Sequence, residues 1–539
     1  MTETNIVLIQ PPIRDFYLTA KRTFPYGLAC IAAVLTDRGY GVTLIDGLAT
    51  AKSRIADPPP EMDYLKAYYG RDDRSPFCLF HRFRHYGYAF EHIARLAASS
   101  KAFLIGVSSL FSAYSDEALE MARAVRAACP QAKIVLGGHH PTALPHAVMH
   151  CDAVDFAIRG EGEAALPFLA DSLKKDTPLE NVPGIVFRKN NGELHIGDCA
   201  LIRDLDSFRP PAIHLVKRSF YQRNGRGSAV IVTSRGCPMG CSYCVLGSDL
   251  LPYRRRSVNA VMTEIDIAVN GWDAGFIDFE DENLAFDKKW FADLLGRIHR
   301  RYGDRLELRA MNGLFPPSLD ASLIAAMQRA GFRALNLSLG TRSTVQQGKF
   351  CRPNVCRSFE KAVQAAQRLG MQAVGYIIAA APGQKAADSL ADLLYLADKP
   401  VLGALSIFYP APGSQDFEKC REKGLLPRCF SLMRSAALPI DDVTTRLQSI
   451  TLLRLSRILN FMKHLVRTGD EIPRPRPIPN GFRLHTDNRS AWGKRLLAGW
   501  LHDCRIRGVS PDGEIFDHDS DSGLSRRFRD ELSLIKIRS

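Results

Sequence analysis

Three cysteines, Cys237, Cys241 and Cys244, stand in the string SRGCPMGCSYC with CxxxCxxC spacing, directly after the apolar run from Ala229 to Val232. Three thiolates on one tight loop can hold three irons of a 4Fe-4S cube. Such clusters ordinarily take four cysteines, so the fourth iron is left open to another ligand. Zinc sites read differently, as two CxxC pairs or a Cys pair followed by a His pair, and no second pair falls at a matching distance. A thioredoxin-like redox motif would need only two of the three. Free cysteine also packs as a small hydrophobe, but Gly236, Pro238 and Gly240 make this segment a turn rather than a packed element.

The elements that must position the loop follow from periodicity. Strand-like runs at Ala229–Thr233, Phe276–Phe279, Leu306–Met311, Ala334–Leu339, Ala373–Ile378 and Leu405–Tyr409 alternate with helical stretches such as Val258–Val269, Trp290–Arg300 and Ser358–Leu369. Six βα repeats predict a partial (β/α)6 TIM-type barrel, with chemistry at the carboxyl ends of its strands. The cysteine loop follows the first of them. Ahead of it, Ile6–Ile9, Val42–Ile45, Phe103–Val107, Ile134–Leu136 and Val154–Ile158 alternate with helical Leu28–Leu35, Phe90–Ala98 and Ser115–Ala128. That alternation predicts a doubly wound parallel sheet, which binds ligands at its carboxyl edge. The chain therefore reads as α/β, with a Rossmann-like domain at 1–185, a linker at 186–226, the barrel at 227–415 and a helical C-terminal region at 416–539.

With Tyr243 just before its third cysteine, the cysteine string resembles the radical SAM superfamily. The resemblance implies that S-adenosylmethionine chelates the open iron of a 4Fe-4S cluster, that an external donor of flavodoxin or ferredoxin type supplies an electron, and that the sulfonium breaks to a 5′-deoxyadenosyl radical. It also implies SAM contacts at Tyr243, at Glu280, Asp281, Glu282 and Asn283 in FIDFEDENLAF, at Ser338 and Thr341 in LNLSLGTRS, and at Pro382 and Gly383 in YIIAAAPGQKAADSL. An acidic cluster is ordinarily a solvated loop, but at a barrel strand's end it reads as site. LNLSLGTRS departs from the glycine-and-glutamate form of many relatives.

The strings PYGLACIAAVLTDRGYGVTLID, IGVSSLFSAYSDEALEMA, IVLGGHHPTALP and VDFAIRGEGE resemble, in order, the cobalamin-binding domain found ahead of many radical SAM cores. They imply cobalamin contacts at Ser108 and Ser109, at Gly137 and Gly138, and at Gly160, Glu161, Gly162 and Glu163. The Asp-x-His-x-x-Gly string that supplies a cobalt-ligating His elsewhere is missing. His139 and His140 are tempting substitutes, but they fall in the turn expected to meet the nucleotide tail. Together these strings resemble the class B radical SAM methyltransferases, which methylate unactivated carbon or phosphorus of small molecules. Three other readings stay open: a porphyrin-type oxidative cyclase, suggested by SLGT; an RNA-modifying methylthiotransferase; and a non-enzymatic cobalamin sensor.

Composition bounds the rest. The chain has 539 residues, 46% of them hydrophobic, which is enough for several globular domains. No apolar run is long enough to span a bilayer, and Met1–Asn5 lead straight into IVLIQ without leader features. Thirteen cysteines scattered through such a length do not make a disulfide framework, so a cytoplasmic location is expected. The net charge of +14 is partly local, in Arg254–Arg256 and in the stretch from Arg454 to Arg538. A solvated basic face is the default reading, with an RNA or anionic-lipid footprint as the alternative. Two segments remain. The aromatic-rich insertion Pro60–Tyr88 reads as a helical cap on the sheet or as a lid over corrin or substrate. Cys351 and Cys356 are too few for a second cluster and read as packing more than as catalytic thiols. The substrate and the oligomeric state are not legible.

Overall fold

The computed structural model describes residues 4–18, 24–80, 82–245, 252–479, 481–484 and 488–539; Met1–Glu3, part of the segment read for a leader, lie outside them. The N-terminal sheet contains β1 (Asn5–Gln10), β2 (Gly41–Asp46), β3 (Leu104–Ser108), β4 (Lys133–Gly137), β5 (Phe156–Ile158), β6 (Ile185–Arg188) and β7 (Leu194–Ile196), in the order β7-β6-β5-β4-β3-β1-β2. β1 to β5 are parallel; β6 and β7 add an antiparallel hairpin at one edge. The sheet therefore extends to Ile196, past the start of the expected linker at 186. Both faces are covered, which explains the unbroken apolar strands. Val7, Ile9 and Val107 meet the helices Phe90–Ser99 and Ser115–Ala128, while Ile6, Leu8 and Leu104 meet Tyr26–Asp37 and Gly162–Lys175. Chain order reverses between β1 and β3, and the crevice at such a reversal is where these sheets bind ligands.

The second half supplies the expected strands: β8 (Arg226–Ile231), β9 (Ala274–Phe279), β10 (Glu307–Ala310), β11 (Ala334–Gly340), β12 (Gln372–Ala379) and β13 (Leu402–Ile407). They form two parallel ladders, β8-β9-β10 and β11-β12-β13, linked by single bridges at Leu308–Phe332 and Leu314–Leu337. The sequence itself starts several outer helices. Ser257, Asp287 and Asp320 each accept a hydrogen bond from the backbone N–H three residues on, as N-caps do. The sixth strand begins earlier than its apolar run suggests, because Leu402 and Gly403 pair with Val374 and Gly375; tertiary pairing overrides glycine's poor strand preference.

Where a closed barrel would add another strand, the helix Arg446–Thr468 packs instead. Asn460 accepts from Gly403 N–H at 2.9 Å and donates to Gly403 C=O at 2.8 Å, standing in for the missing neighbour. That helix starts with a capping box of Thr445 and Gln448 and ends at Gly469. The C-terminal region is mostly helical but also carries a hairpin, Arg507–Val509 with Ile515–Asp517.

The insertion at 60–88 corrects both expectations for it. From Met62 to Phe83 it is neither a lid nor a cap on the sheet, because Tyr69, Phe77 and Phe83 are buried, and Tyr64, Tyr68 and Phe80 half-buried, in the core shared with the C-terminal region. Tyr69 donates to Ala436 C=O, Phe77 packs edge-on against Phe461, and Asp73 accepts from Val509 N–H and meets His518. Replacing Asn460 by Leu removes both bonds at the open edge of β13. We expect a loss of about 1–3 kcal/mol, the cost of leaving the Gly403 N–H without its partner while Ser456 Oγ still donates to the Gly403 C=O, read as a lower urea midpoint.

Candidate functional site

The carboxyl ends of the N-terminal sheet and of β8 and β9 face one cavity of about 320 Å3, the lower range of ligand pockets. Ser108, Gly137, Gly138, Gly160 and Gly162 line it from the sheet. Gly236, Arg235, Arg254, Glu280 and Glu282 line it from the barrel. Gly138 has φ +129°, and a Cβ there would lie 2.5 Å from Ser109 C=O, so no other residue fits. Gly137 differs: a Cβ added to it meets open space. Ser109 sits behind this wall, buried, its Oγ lacking a hydrogen-bond partner among the described residues. Small residues, a free hydroxyl and apolar strand ends suit a large ligand with polar arms, and fit the cobalamin contacts expected here.

The two histidines of the GGHHP turn have different surroundings. His140 is buried, meets Ser112 Oγ at 3.0 Å and packs on Phe430. His139 lines the cavity and stays exposed there.

Glu161 and Glu163 have a role the sequence did not reveal. Glu161 accepts from Arg235 at 3.1 Å, from Arg254 at 2.8 Å and from Ile202 N–H at 2.5 Å; Glu163 accepts from Arg235 at 2.6 Å. Burial pushes the Glu161 carboxyl up, but Arg254, Arg235 and the Ile202 N–H outweigh it and hold the group below its usual range. The basic run is therefore not a solvated face. Arg254 pairs with Glu161, Arg255 with Asp287 and Arg256 with the buried Glu264. Within the stretch from Arg454 to Arg538 the same correction applies to Arg454 and Lys463, both buried.

Outside anchors hold the cysteine loop. Its stems, Ser234–Arg235 and Arg254–Arg255, form a short antiparallel ladder. Between Cys241 and Cys244, the buried Ser242 donates from Oγ to Lys349 C=O and Asp416 at 2.9 Å each, donates from its N–H to Phe350 C=O, and accepts from Asp416 N–H. All three thiols are free of disulfides. Burial pushes the Cys237 thiol up; the Met239 N–H and the Asn283 side chain oppose this, while Cys241 and Glu282 add to it. Among the described residues no three His, Cys, Asp or Glu side chains converge as ligands to one metal ion would. A cube asks for something else, thiolates at separate corners, and a soft three-thiol set on an anchored loop fits it.

The acidic string divides by alternation. Glu280 and Glu282 line the cavity, whereas the buried Asp281 turns the other way and accepts from Thr233 N–H, Thr233 Oγ1 at 2.7 Å and Ser234 Oγ at 2.6 Å. Asp281 thus clamps the end of β8 to the end of β9. Asn283 is buried against Cys237, and its Oδ1 has no partner among the described residues.

Of the other expected contacts, Ser338 is drawn to Tyr243, whose ring packs on Phe350. Arg352, which sequence reasoning missed, donates to Tyr243 Oη at 2.8 Å and to Ser338 C=O and Oγ at 2.7 and 2.9 Å. It lies beside the exposed Cys351, in the loop where only the cysteines had drawn notice. Thr341 is buried away from this group, bonded to Ser343 N–H and Asp392. In the Pro382–Gly383 turn, Gly383 C=O accepts from Lys349 and its N–H donates to Asp442.

Fold and site together bring the carboxyl edge of the sheet and the base of the cysteine loop onto one cavity. A family model described as the B12 binding domain matches residues 19–170. An uncharacterised methyltransferase of Pyrococcus horikoshii is 25% identical over 79% of this chain and 85% of its own length. Cytidylyl-2-hydroxyethylphosphonate methyltransferase of Streptomyces wedmorensis is 24% identical over 80% and 84%. The radical SAM methyltransferase TsrM of Kitasatospora setae, solved with cobalamin and a [4Fe-4S] cluster, shares the fold with a TM-score of 0.59 over 78% of each chain, at 16% identity. The chain thus carries a match to the B12 binding domain and is similar in sequence to methyltransferases and in fold to a cobalamin-bound radical SAM methyltransferase.

Gly137→Leu tests the cavity directly. It is expected to cost less than about 1 kcal/mol in stability, because the Cβ has room, and to weaken cobalamin binding by at least roughly tenfold, about 1.4 kcal/mol, in an equilibrium titration.

Proposed function

We propose that this chain methylates an unactivated centre of a small molecule, using S-adenosylmethionine, a 4Fe-4S cluster and cobalamin. The single observation that carries this reading is the shared cavity: strand-end glycines of the B12-type sheet and the cysteine and acidic loops of the barrel line the same space. When bound, the cluster supplies the electron that breaks the sulfonium of S-adenosylmethionine, and cobalamin carries the methyl group.

The chain's own residues bind, orient and exclude. Cys237, Cys241 and Cys244 hold the cluster, and Ser242 and Asp416 fix their loop. Tyr243, Ser338 and the carbonyls near Gly383 shape the S-adenosylmethionine side, with Arg352 holding the first two together. Glu280 and Glu282 bring carboxylates to the cavity where the ammonium of that cofactor or a polar substrate group needs an acceptor. On the cobalamin side, Ser108, Ser109 and the strand-end glycines let backbone and hydroxyls approach the ligand closely. Packing two reactants into one cavity makes transfer between them effectively intramolecular.

An external donor of flavodoxin or ferredoxin type would deliver the electron, which suits a cytoplasmic enzyme. No helix among the described residues is long and apolar enough to cross a membrane. Anaerobic reconstitution followed by assay for 5′-deoxyadenosine, S-adenosylhomocysteine and bound cobalamin tests the reading. Replacing Cys237, Cys241 and Cys244 by Ala should abolish deoxyadenosine while cobalamin still binds; continued reductive cleavage by that variant would overturn it. Ring oxidation of a porphyrin without label from methyl-labelled S-adenosylmethionine would replace methyl transfer by the cyclase reading.

A further inference from the structure

Glu161 and Glu163 stand at the start of the helix Gly162–Lys175, in the wall that receives the sheet's ligand. Their partners are the two stems of the cysteine loop: Arg235, two residues before Cys237, bonds both carboxylates, and Arg254, paired across the ladder with Arg235, bonds Glu161. The loop that holds the cluster therefore hangs at both ends from one pair of carboxylates on the other domain. All four groups are withdrawn from solvent: the side chains of Glu161 and Glu163 are 9% and 7% exposed, those of Arg235 and Arg254 26% and 11%. Arg254 also lines the cavity, and its Nη2 is buried without a hydrogen-bond partner among the described residues. A ligand presenting a carbonyl to that wall would find a donor waiting.

We propose that Glu161, Glu163, Arg235 and Arg254 are positioning residues that couple the two cofactor sites: Arg254 donates its remaining N–H to an amide carbonyl on the rim of the ligand bound at the sheet, and the ion cluster carries the adjustment to the cysteine loop. The proposal rests on the functional reading above, since it needs both groups to bind. The coupling is reciprocal by linkage: if a loaded cluster changes the affinity for the sheet's ligand by some factor, the ligand changes the cluster site by the same factor. Rigid forked guanidiniums suit this transmission, because each holds its carboxylates in a fixed plane.

Aquacobalamin is the probe. Its dissociation constant is measured anaerobically on the full-length chain with a reconstituted cluster and on the Cys237→Ala, Cys241→Ala, Cys244→Ala chain without one. The two values should differ by about fivefold or more, the usual lower range for coupled sites. In Glu163→Gln, which keeps shape but loses the charge facing Arg235, the same comparison should fall below about twofold, with iron and sulfide content unchanged. Arg235→Lys, which keeps charge but loses the fork, should restore only part of the difference and covers the case in which Glu163→Gln folds poorly. The electron paramagnetic resonance signal of the reduced cluster should shift on adding aquacobalamin in the parent chain and not in Glu163→Gln. Equal dissociation constants with and without the cluster in the parent chain, or a full difference retained in both variants, would overturn the coupling. Failure of the parent chain to take up iron or aquacobalamin would instead overturn the functional reading, and the coupling with it.

Discussion

Two carboxylates and two guanidiniums withdrawn from water at the seam between sheet and barrel set the geometry on which the site depends. Taking such ions out of water costs several kcal/mol each, and their mutual attraction little more than offsets it, so the cluster is a poor source of stability. Its strength lies in what happens when it is incomplete. An unpaired charge left at that depth costs about 3–5 kcal/mol, so other arrangements of the two domains are penalised. Arg235 reaches Glu161 and Glu163 at once through one planar fork, which lysine, as a point charge, cannot reproduce.

On the proposed reading, a loop that leaves three thiols free for iron cannot use them to hold itself in place, and a loop makes few backbone bonds of its own. It therefore needs outside anchors. The ion cluster supplies them at the stems. At the far end, Ser242 commits its N–H, C=O and Oγ to Phe350, Asp416 and Lys349. The segments it reaches are themselves tied to the barrel's other strand ends: Arg352 to Ser338, and Lys349 to Gly383. Residues expected to touch S-adenosylmethionine are thus mechanically continuous with the cysteines, so a displacement at one is felt at the other.

What was legible in the sequence follows from how local each signal is. Unbroken apolar strands, caps such as Ser257 and Asp287, and a cysteine string within eight residues are all read over short windows, and the strands and the loop appear where expected. At Glu280–Glu282, past the end of β9 at Phe279, no strand period applied, so the sequence did not show that two of the carboxylates line the cavity while the one between them faces β8. The arginines misled because a charge run says nothing of partners far along the chain. Arg254 finds Glu161, 93 residues away, and only the fold shows that the pair is buried. Arg352 was hidden for a related reason, since its two partners lie on the cysteine loop and on β11.

The insertion at 60–88 shows the same limit over a longer reach, and it changes how the molecule is divided. Tyr64 and Tyr69 donate to backbone carbonyls of Ala437 and Ala436, and Arg454 donates to Tyr68 C=O. Met62, Leu65, Phe77, the barrel helices and the C-terminal helices share one apolar core. A segment of the B12-type half is therefore a structural part of the barrel half. Rocking the two halves apart would expose those aromatics and break the buried contact between Asp73 and His518, as well as the ion cluster. With apolar burial worth about 25 cal/mol per Å2, a seam closed by both aromatics and ions resists opening. Adjustments between the two cofactor sites are then confined to small shifts of the loops that line the cavity, the range over which a forked ion pair can transmit a displacement without breaking.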